Sequence, residues 1–370
     1  MKKKQTDRLR IAMLGHKHAF SREGGVEVAV GELAARLAQR GQLVTLFDRS
    51  PRAKDLTRPE IPGLRIRQIP TLNIGGLAAF TSSLSGAVLA AVGGYDVVHF
   101  HAEGPAAVCR IPKLFGKRVV CTVHGLDWQR EKWGGFASAY IRLGEKAAAR
   151  YADEIIVLNE STRRYFRERY GRETRVIPNG ASPRERRPAC LIRQRWVLEP
   201  DAYVLFVGRL VPEKGLRLLL KAWSGLETEK KLVIAGDGSP AFRRELEGLA
   251  GENVLFTGHV SGSALEELYS SAYLFVLPSD LEGMPLSLLE AMSYGNCCLC
   301  SDIEACTETA GDGALYFARG KEDSLRTALR ELLADEKTVL RMREGAADAV
   351  LSKYRWDEIA GEILAVYRGE

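Results

Sequence analysis

Short apolar runs alternate along this chain with stretches of helical period. In the first half the runs fall at Leu9–Leu14, Leu43–Phe47, Leu64–Ile69, Val97–Phe100, Val119–Val123, Glu154–Leu158 and Arg175–Ile177. Such near-continuous apolar runs are the mark of parallel strands buried on both faces. Helical patterns lie between them, notably over Val26–Gln39, Phe136–Tyr151 and Ser161–Tyr170. The alternation stops where Pro183, Pro188 and Pro200 bracket Arg184-Glu185-Arg186-Arg187, and no strand fits there. It restarts with runs at Tyr203–Val207, Leu232–Ala235, Val254–Thr257, Leu274–Leu277 and Cys297–Cys300. Helices are expected to begin near Lys214, Pro240, Ser263 and Pro285. The end reads as helix over Glu322–Leu333, over Glu336–Ser352 and again after Trp356. The pattern predicts an α/β protein of two doubly wound parallel-sheet domains facing a cleft. The first domain is assigned to 1–182, a linker to 183–200, the second domain to 201–353 and a terminal helix to 354–370. Ligands of such sheets bind at the carboxyl ends of the strands.

One stretch breaks the rhythm differently. From Gln68 to Tyr95 no residue is charged. The stretch is long enough to span a bilayer, but it carries Gly75, Gly76, Gly86, Gly93 and Gly94 with several Ser and Thr. Leu77, Phe80, Leu84, Val88 and Ala91 fall near helical spacing, so an amphipathic or core helix is the expectation, with membrane-surface contact as a second reading.

The 370 residues are 46% hydrophobic and 27% charged, which excludes a disordered, collagenous or disulfide-scaffold chain. Charge is divided unevenly. Residues 1–182 hold 30 Lys+Arg against 17 Asp+Glu, a net +13, and residues 183–370 hold 23 against 30, a net −7. A basic half suits phosphate groups, anionic lipid or nucleic acid, but no nucleic-acid recognition motif accompanies it. Seven cysteines lack framework spacing, and Cys297, Cys298 and Cys300 read as buried strand positions. Reduced thiols and a cytoplasmic address follow. Met1-Lys2-Lys3-Lys4 is followed by only a short apolar run, so no signal peptide is expected. No Cys/His pairs stand at zinc-ligand spacing.

Several motifs follow strands. Glu23-Gly24-Gly25-Val26-Glu27 opens a helix and suits either an anion at the helix start or a tight turn. His124 ends a strand and is either a cleft residue or a structural hydrogen-bonder. The cluster Asp127, Trp128, Gln129, Arg130, Glu131, Lys132 and Trp133 suits sugar or phosphate binding, or a loop anchored by its two Trp. Arg209 follows a strand, and Lys214 stands five residues later at a helix start. Two such cations can clamp a diphosphate, Arg through its planar fork and Lys as a point charge. The sharpest element is the run from Pro278 to Met292. Glu282 lies in a loop and Glu290 about two turns into the following helix, and both can project to one side. Gly283, Met284, Pro285 and Leu286 between them bring backbone N–H groups to the helix start.

In order, the Gly-Gly helix start, His124-Gly125, Ile177-Pro178-Asn179-Gly180, Val207-Gly208-Arg209 with Glu213-Lys214-Gly215, Ala235-Gly236-Asp237-Gly238 and the Glu282/Glu290 spacing resemble retaining glycosyltransferases of family 4. The resemblance covers roughly 9 to 368. The stretch His124 to Trp133 is most similar to bacterial enzymes of surface polysaccharide synthesis, including rhamnosyltransferase-like members. The resemblance implies the GT-B architecture of two Rossmann-like domains, with the last helix packed back on the first domain. It implies a nucleoside-diphosphate-sugar donor (UDP first, with dTDP and GDP close behind), no cofactor and no metal. The acceptor would be a glycan or a lipid-diphosphate-linked chain, met by the basic first domain at the inner face of an anionic membrane. Arg209 and Lys214 would hold the diphosphate and stabilise the leaving group. Glu282 would bind sugar hydroxyls and Glu290 the ribose. Gly24, Gly25 and Gly283 to Leu286 would contact sugar or phosphate through amides, and Val260 would lie near the base. His124 would orient the sugar at its anomeric carbon. Asp127, Trp128 and Arg130 are the candidates for acceptor contact. His16, Lys17, His18 and Arg22 could serve a charged acceptor. A front-face reaction needs no protein nucleophile, so Glu282 and Glu290 are not a glycosidase pair. Two other functions fit the same architecture: a sugar-nucleotide epimerase, which needs no acceptor, and a non-catalytic glycan-binding protein.

Overall fold

A computed structural model of the protein describes residues 8–21, 23–50, 60–74, 77–129 and 135–370. The chain forms two compact units, Met1–Asn179 with Trp356–Glu370, and Gly180–Arg355. Arg22, Arg130 to Trp133, Gly75 and Gly76 lie outside the described residues.

The first unit holds strands β1 (Arg10–Leu14), β2 (Leu43–Arg49), β3 (Leu64–Ile69), β4 (Val97–His101), β5 (Arg118–Val123), β6 (Glu154–Val157) and β7 (Arg175–Val176). All pair in parallel, in the order β3-β2-β1-β4-β5-β6-β7. The order reverses between β1 and β4, so the loops after these strands flank the usual ligand crevice. Buried Ile11, Leu14, Val98, Phe100, Val119 and Cys121 form the middle of the sheet.

The helix Trp356–Arg368 belongs to this unit. Its anchor is polar as well as apolar. The Tyr367 hydroxyl lies 2.6 Å from Nδ1 of His99, whose Nε2 lies 2.7 Å from the Thr122 hydroxyl. Arg118 Nε donates to the carbonyl of Val366 at 3.0 Å, and Arg36 pairs with Asp357 at 3.3 Å.

The charge-free stretch forms a helix over Ala78–Val92, but not with the facing expected of a core helix. Ser82, Ser83, Gly86, Ala87, Ala90 and Ala91 point inward. Leu77, Phe80, Leu84, Val88 and Val92 are exposed. Close approach to the sheet decides this. A Cβ on Gly86 would stand 3.2 Å from Ile69 Cδ1 and 3.5 Å from Phe47 Cδ2, so only small side chains fit beneath the helix. Among the described residues no helix is long and apolar enough to cross a membrane.

The second unit holds β8 (Tyr203–Val207), β9 (Lys231–Ala235), β10 (Val254–Gly258), β11 (Leu274–Leu277), β12 (Cys298–Ser301) and β13 (Leu315–Phe317). Their order is β10-β9-β8-β11-β12-β13, again parallel, with the switch between β8 and β11. The three-residue edge strand β13 was not expected, because it is too short to show a period. Cys297, Cys298 and Cys300 are buried thiols, and burial pushes Cys297 up to about 12.

The segment 183–200, expected as a linker, is packed into the second unit. It contains the helix Leu191–Trp196 with Ile192 fully buried. Glu267 accepts from the backbone N–H groups of Cys190 at 2.9 Å and Ile192 at 3.1 Å. These bonds hold the start of the short helix against the helix Ser263–Ser271. Its Arg193 and Arg195 mask the apolar signal in the sequence.

Gly215 sets the distance between two loops of this unit. Its φ is +67°, and a Cβ there would stand 1.9 Å from the carbonyl oxygen of Pro278. The loop after β8 therefore lies directly on the end of β11.

Two outcomes are expected. Gly215→Ala should destabilise the second unit by on the order of 3 kcal/mol, from strain plus a backbone clash. Gly248→Ala, in a helix with nothing near its Cβ, should be neutral or stabilising. Urea midpoints of the two variants check this, and equal shifts would contradict it. The second outcome concerns pH. Burial holds His99 down at about 3, whereas in the unfolded chain it titrates near the ordinary value of about 6.5. Its stabilising contribution is complete above that value and is lost as pH falls toward about 3, by at most about 1.4 kcal/mol per pH unit. Urea titrations at several pH values should show this slope shrink in His99→Gln; an unchanged slope would remove His99 as its cause.

Candidate active site

In the second unit the site is built where β8 and β11 end. Gly208 N–H bonds Ala235 at 3.0 Å and Leu210 N–H bonds Asp237 at 2.9 Å, so the loop after β8 runs beside the loop after β9. Arg209 sits on this loop, half-buried. Its guanidinium makes no ion pair among the described residues, an unusual state for a partly desolvated cation.

Lys214 ends the 3-10 turn Pro212–Lys214. Its Nζ stands 2.5 Å from Oε1 of Glu282, with side chains only 13% and 9% exposed. Ser279 donates its hydroxyl to the same Oε1 at 2.7 Å, and the Ser301 hydroxyl donates to the Ser279 carbonyl. Asp280 N–H bonds the Glu213 carbonyl at 2.8 Å. Glu282 is thus held on one oxygen. Its Oε2 has no hydrogen bond among the described residues and can accept from a ligand hydroxyl.

Glu290 lies on the helix Leu286–Ser293, where its Oε2 accepts from the Tyr269 hydroxyl at 3.2 Å. Tyr269 is stacked on Tyr294 with ring centroids 5.4 Å apart. Gly283, Met284 and Pro285 are buried, and Leu286 opens the helix without a side-chain cap from Pro285. The first-turn amides of this helix therefore have no side-chain acceptor from Pro285. Val260 is half-buried in the loop after β10.

In the first unit His124 is the first residue after β5. Its Nε2 lies 3.2 Å from Nδ1 of His101, and the rings stack with centroids 5.4 Å apart. The His101 ring lies 4.0 Å from that of His99. Burial holds His101 well below the ordinary histidine range, and His99, His124 and His16 add to the depression. A neutral His101 facing His124 requires one nitrogen of the pair to donate and the other to accept, which orients the His124 ring. Gly15 allows this arrangement. Its φ is +119°, and a Cβ there would stand 2.1 Å from the His101 carbonyl oxygen. Ala102, next in the chain, takes φ +76°, an uncommon state for a residue with a side chain. Sequence reasoning missed His101. The available signal was Val97-Val98-His99-Phe100-His101, two histidines on one face of an otherwise apolar strand.

The other first-unit candidates have mainly structural partners. His16 is buried against Asp48 at 3.1 Å, which makes it a core residue and not a contact for a charged acceptor. Trp128 donates its indole N–H to Glu145 at 3.1 Å, and Arg142 lies 4.2 Å over its ring. Glu145 also accepts from Tyr165 at 2.8 Å and from Tyr170 at 2.5 Å. Trp128 therefore anchors its loop. Asp127 donates its backbone N–H to Glu103 at 3.3 Å. Burial, with Asp127 and Glu145 nearby, pushes Glu103 well above the usual carboxylate range, which favours its protonated form. Arg130 and Arg22 lie outside the described residues. Gly24 and Gly25 start the helix Gly25–Gln39, but the chain's own Glu27 reaches back over that start. Glu27 accepts from Lys17 N–H at 3.1 Å, and a Cβ on Gly24 would stand 2.8 Å from its Oε2. An anion bound there would meet this carboxylate.

Known proteins match the chain over both units. Residues 23–185 match the model of Glycosyltransferase Family 4, and residues 191–349 match that of Glycosyl transferases group 1. The chain is 28% identical to the D-inositol 3-phosphate glycosyltransferase of Acidothermus cellulolyticus, over 93% of this chain and 85% of that one. It is also 28% identical to the phosphatidyl-myo-inositol mannosyltransferase of Mycobacterium leprae, over 97% and 96%. Its fold is similar to that of Anabaena Alr3699/HepE, solved in complex with UDP and glucose, with a TM-score of 0.81 at 17% identity over 98% and 100% of the chains. With a cation-bearing loop at one sheet's switch point and a histidine after β5 of the other, the chain belongs to the family 4 glycosyltransferases and carries their GT-B fold of two Rossmann-like domains.

Proposed function

We propose that this glycosyltransferase moves a sugar from a nucleoside-diphosphate donor to a glycan or lipid-linked acceptor of a cell-surface polysaccharide, with retention of anomeric configuration. The observation that carries the reading is Arg209, without an ion pair among the described residues, on the loop whose Lys214 pairs with Glu282 at the switch point of the second sheet. A diphosphate supplies the anion that Arg209 lacks. Lys214 and the backbone amides around Gly283 to Leu286 add to the stabilisation of the leaving group. Glu282 Oε2 accepts from a sugar hydroxyl, and Glu290 with Tyr269 accepts from the ribose. His124, oriented by His101, meets the sugar near its anomeric carbon. The bond from that carbon to the diphosphate oxygen breaks as the acceptor oxygen attacks from the same face, and the acceptor proton passes to the departing diphosphate. Cations of the protein carry the developing charge, so no metal is required. The solved relative that holds UDP supports the nucleotide class, and the mannosyltransferase relative, named for phosphatidyl-myo-inositol, supports a lipid-borne acceptor.

Calorimetry with UDP, dTDP and GDP in EDTA should identify one preferred nucleotide. Arg209→Ala should weaken its binding about 10- to 100-fold, the scale of lost charge-assisted hydrogen bonds. Glu282→Ala should lower transfer by about a hundredfold or more while leaving nucleotide affinity unchanged or improved, because Lys214 loses its intramolecular partner. Equal loss of binding and transfer in Glu282→Ala would contradict its role at the sugar. Transfer that stops in EDTA and returns with a divalent cation would overturn the metal-independent reaction, and an inverted product anomer, read by proton NMR, would overturn retention.

A further inference from the structure

The exposed face of the helix Ala78–Val92 meets its own unit at Phe80, whose ring stands edge-on to Tyr140 with centroids 5.9 Å apart, and is otherwise turned to solvent. Leu77, Phe80, Leu84, Val88 and Val92 follow one another at spacings of three or four residues, so they form a single line along the helix. Over its length that line runs about 22 Å. A solvated helix face normally carries charged residues, and this one carries none from Gln68 to Tyr95. Ile74 ahead of the helix is 70% exposed, and Leu114 and Phe115 beside it are 70% and 58% exposed. Leu114 and Phe115 belong to this surface because the helix Arg110–Leu114 packs on Ala78–Val92. Lys117 also donates to the carbonyl of Gly93 at 2.7 Å, at the end of the same helix.

The borders of the stripe are cationic. On β3, Ile69 lies beneath Gly86, which fixes the strand face that turns toward the helix. Arg65 and Arg67 alternate onto that same face, are exposed and have no ion pair among the described residues. On the other border stand Lys117, Arg110, whose guanidinium lies over Tyr151, and Lys113, which pairs with Asp153. Neither β3 nor the helix Arg110–Leu114 contains a carboxylate.

We propose that this face docks on a lipid bilayer carrying anionic headgroups. The apolar line enters the boundary between headgroups and acyl chains, and Arg65, Arg67 and Lys117 meet the headgroup phosphates. Charge argues against a second copy of the chain as the occupant. Self-association through this face would bring its cationic borders together with only Asp153, already paired with Lys113, named among the described residues of those borders, whereas a lipid surface complements both borders and stripe. The inference rests on the transferase reading only for its purpose, which is to bring the enzyme to a lipid-linked acceptor.

Vesicle flotation tests it with the full chain. Vesicles of phosphatidylcholine alone should recover little protein. Vesicles of equal parts phosphatidylcholine and phosphatidylglycerol should recover most of it. Leu84→Glu with Val88→Glu should lower that recovery at least tenfold, and Leu84→Ser with Val88→Ser should lower it by less. Arg65→Glu with Arg67→Glu should weaken recovery at low salt and change it little at high salt. All three variants should bind UDP like the parent protein, since no donor-site residue is altered. Flotation of a parent protein that binds none of UDP, dTDP and GDP would therefore defeat the donor assignment and leave the docking face standing. Undiminished flotation of the glutamate variant would overturn the proposal. So would a parent dimer, seen by light scattering, that the glutamate variant converts to monomer without any vesicle binding.

Discussion

The contact between the loop after β8 and the loop after β11 governs the second unit's chemistry. Gly215 lies against the Pro278 carbonyl, Asp280 bonds the backbone of Glu213, and Lys214 reaches Glu282 across the same seam. Two charges with little exposure are tolerable only as a pair, because an isolated one would lose its hydration without compensation. The pairing also divides labour. Among the described residues Lys214 is neutralised by Glu282, Glu282 keeps one oxygen open, and Arg209 has no ion pair. A site of this kind is prepared for an anion and a hydroxyl at adjoining positions.

The first unit solves a different problem. Its histidines His99 and His101 are buried in a sheet and are held neutral by desolvation. Neutral imidazoles transmit orientation without adding charge. His99 fastens the last helix through Tyr367, and His101 fixes the ring of His124. Burial likewise favours the protonated form of Glu103, while Glu145 is satisfied by three donors and secures the loop that carries Asp127 and Trp128. The polar residues around His99, His101 and Glu145 are therefore mostly support for the half-exposed His124 and its neighbouring loop. Support of this kind fixes the orientation of a side chain that packing alone would leave free to turn.

The helix Ala78–Val92 shows how close packing reverses an apparent amphipathic pattern. Small residues are drawn inward because Phe47 and Ile69 leave room for nothing larger. The large apolar residues are then turned out, although hydrophobicity alone would bury them. Their exposure follows from shape, and the basic borders decide what kind of surface suits them.

The amino-acid sequence by itself determined the strands of both sheets, since parallel strands covered on both faces read as plain apolar runs. It also determined the motif-bearing loops of the second unit, because Arg209, Lys214, Glu282 and Glu290 lie at short local spacings around strand ends. The tertiary structure alone decided the pairing of Lys214 with Glu282, 68 residues apart, and of His101 with His124, 23 apart. It decided that His16 is a core residue and that the segment 183–200 is packed rather than spanning. It also decided which face of Ala78–Val92 meets solvent. The physical reason is common to all of these. Local pattern reports the polarity of a side chain and the period of its neighbours. The room available to it and the partner it meets are set by elements distant in sequence.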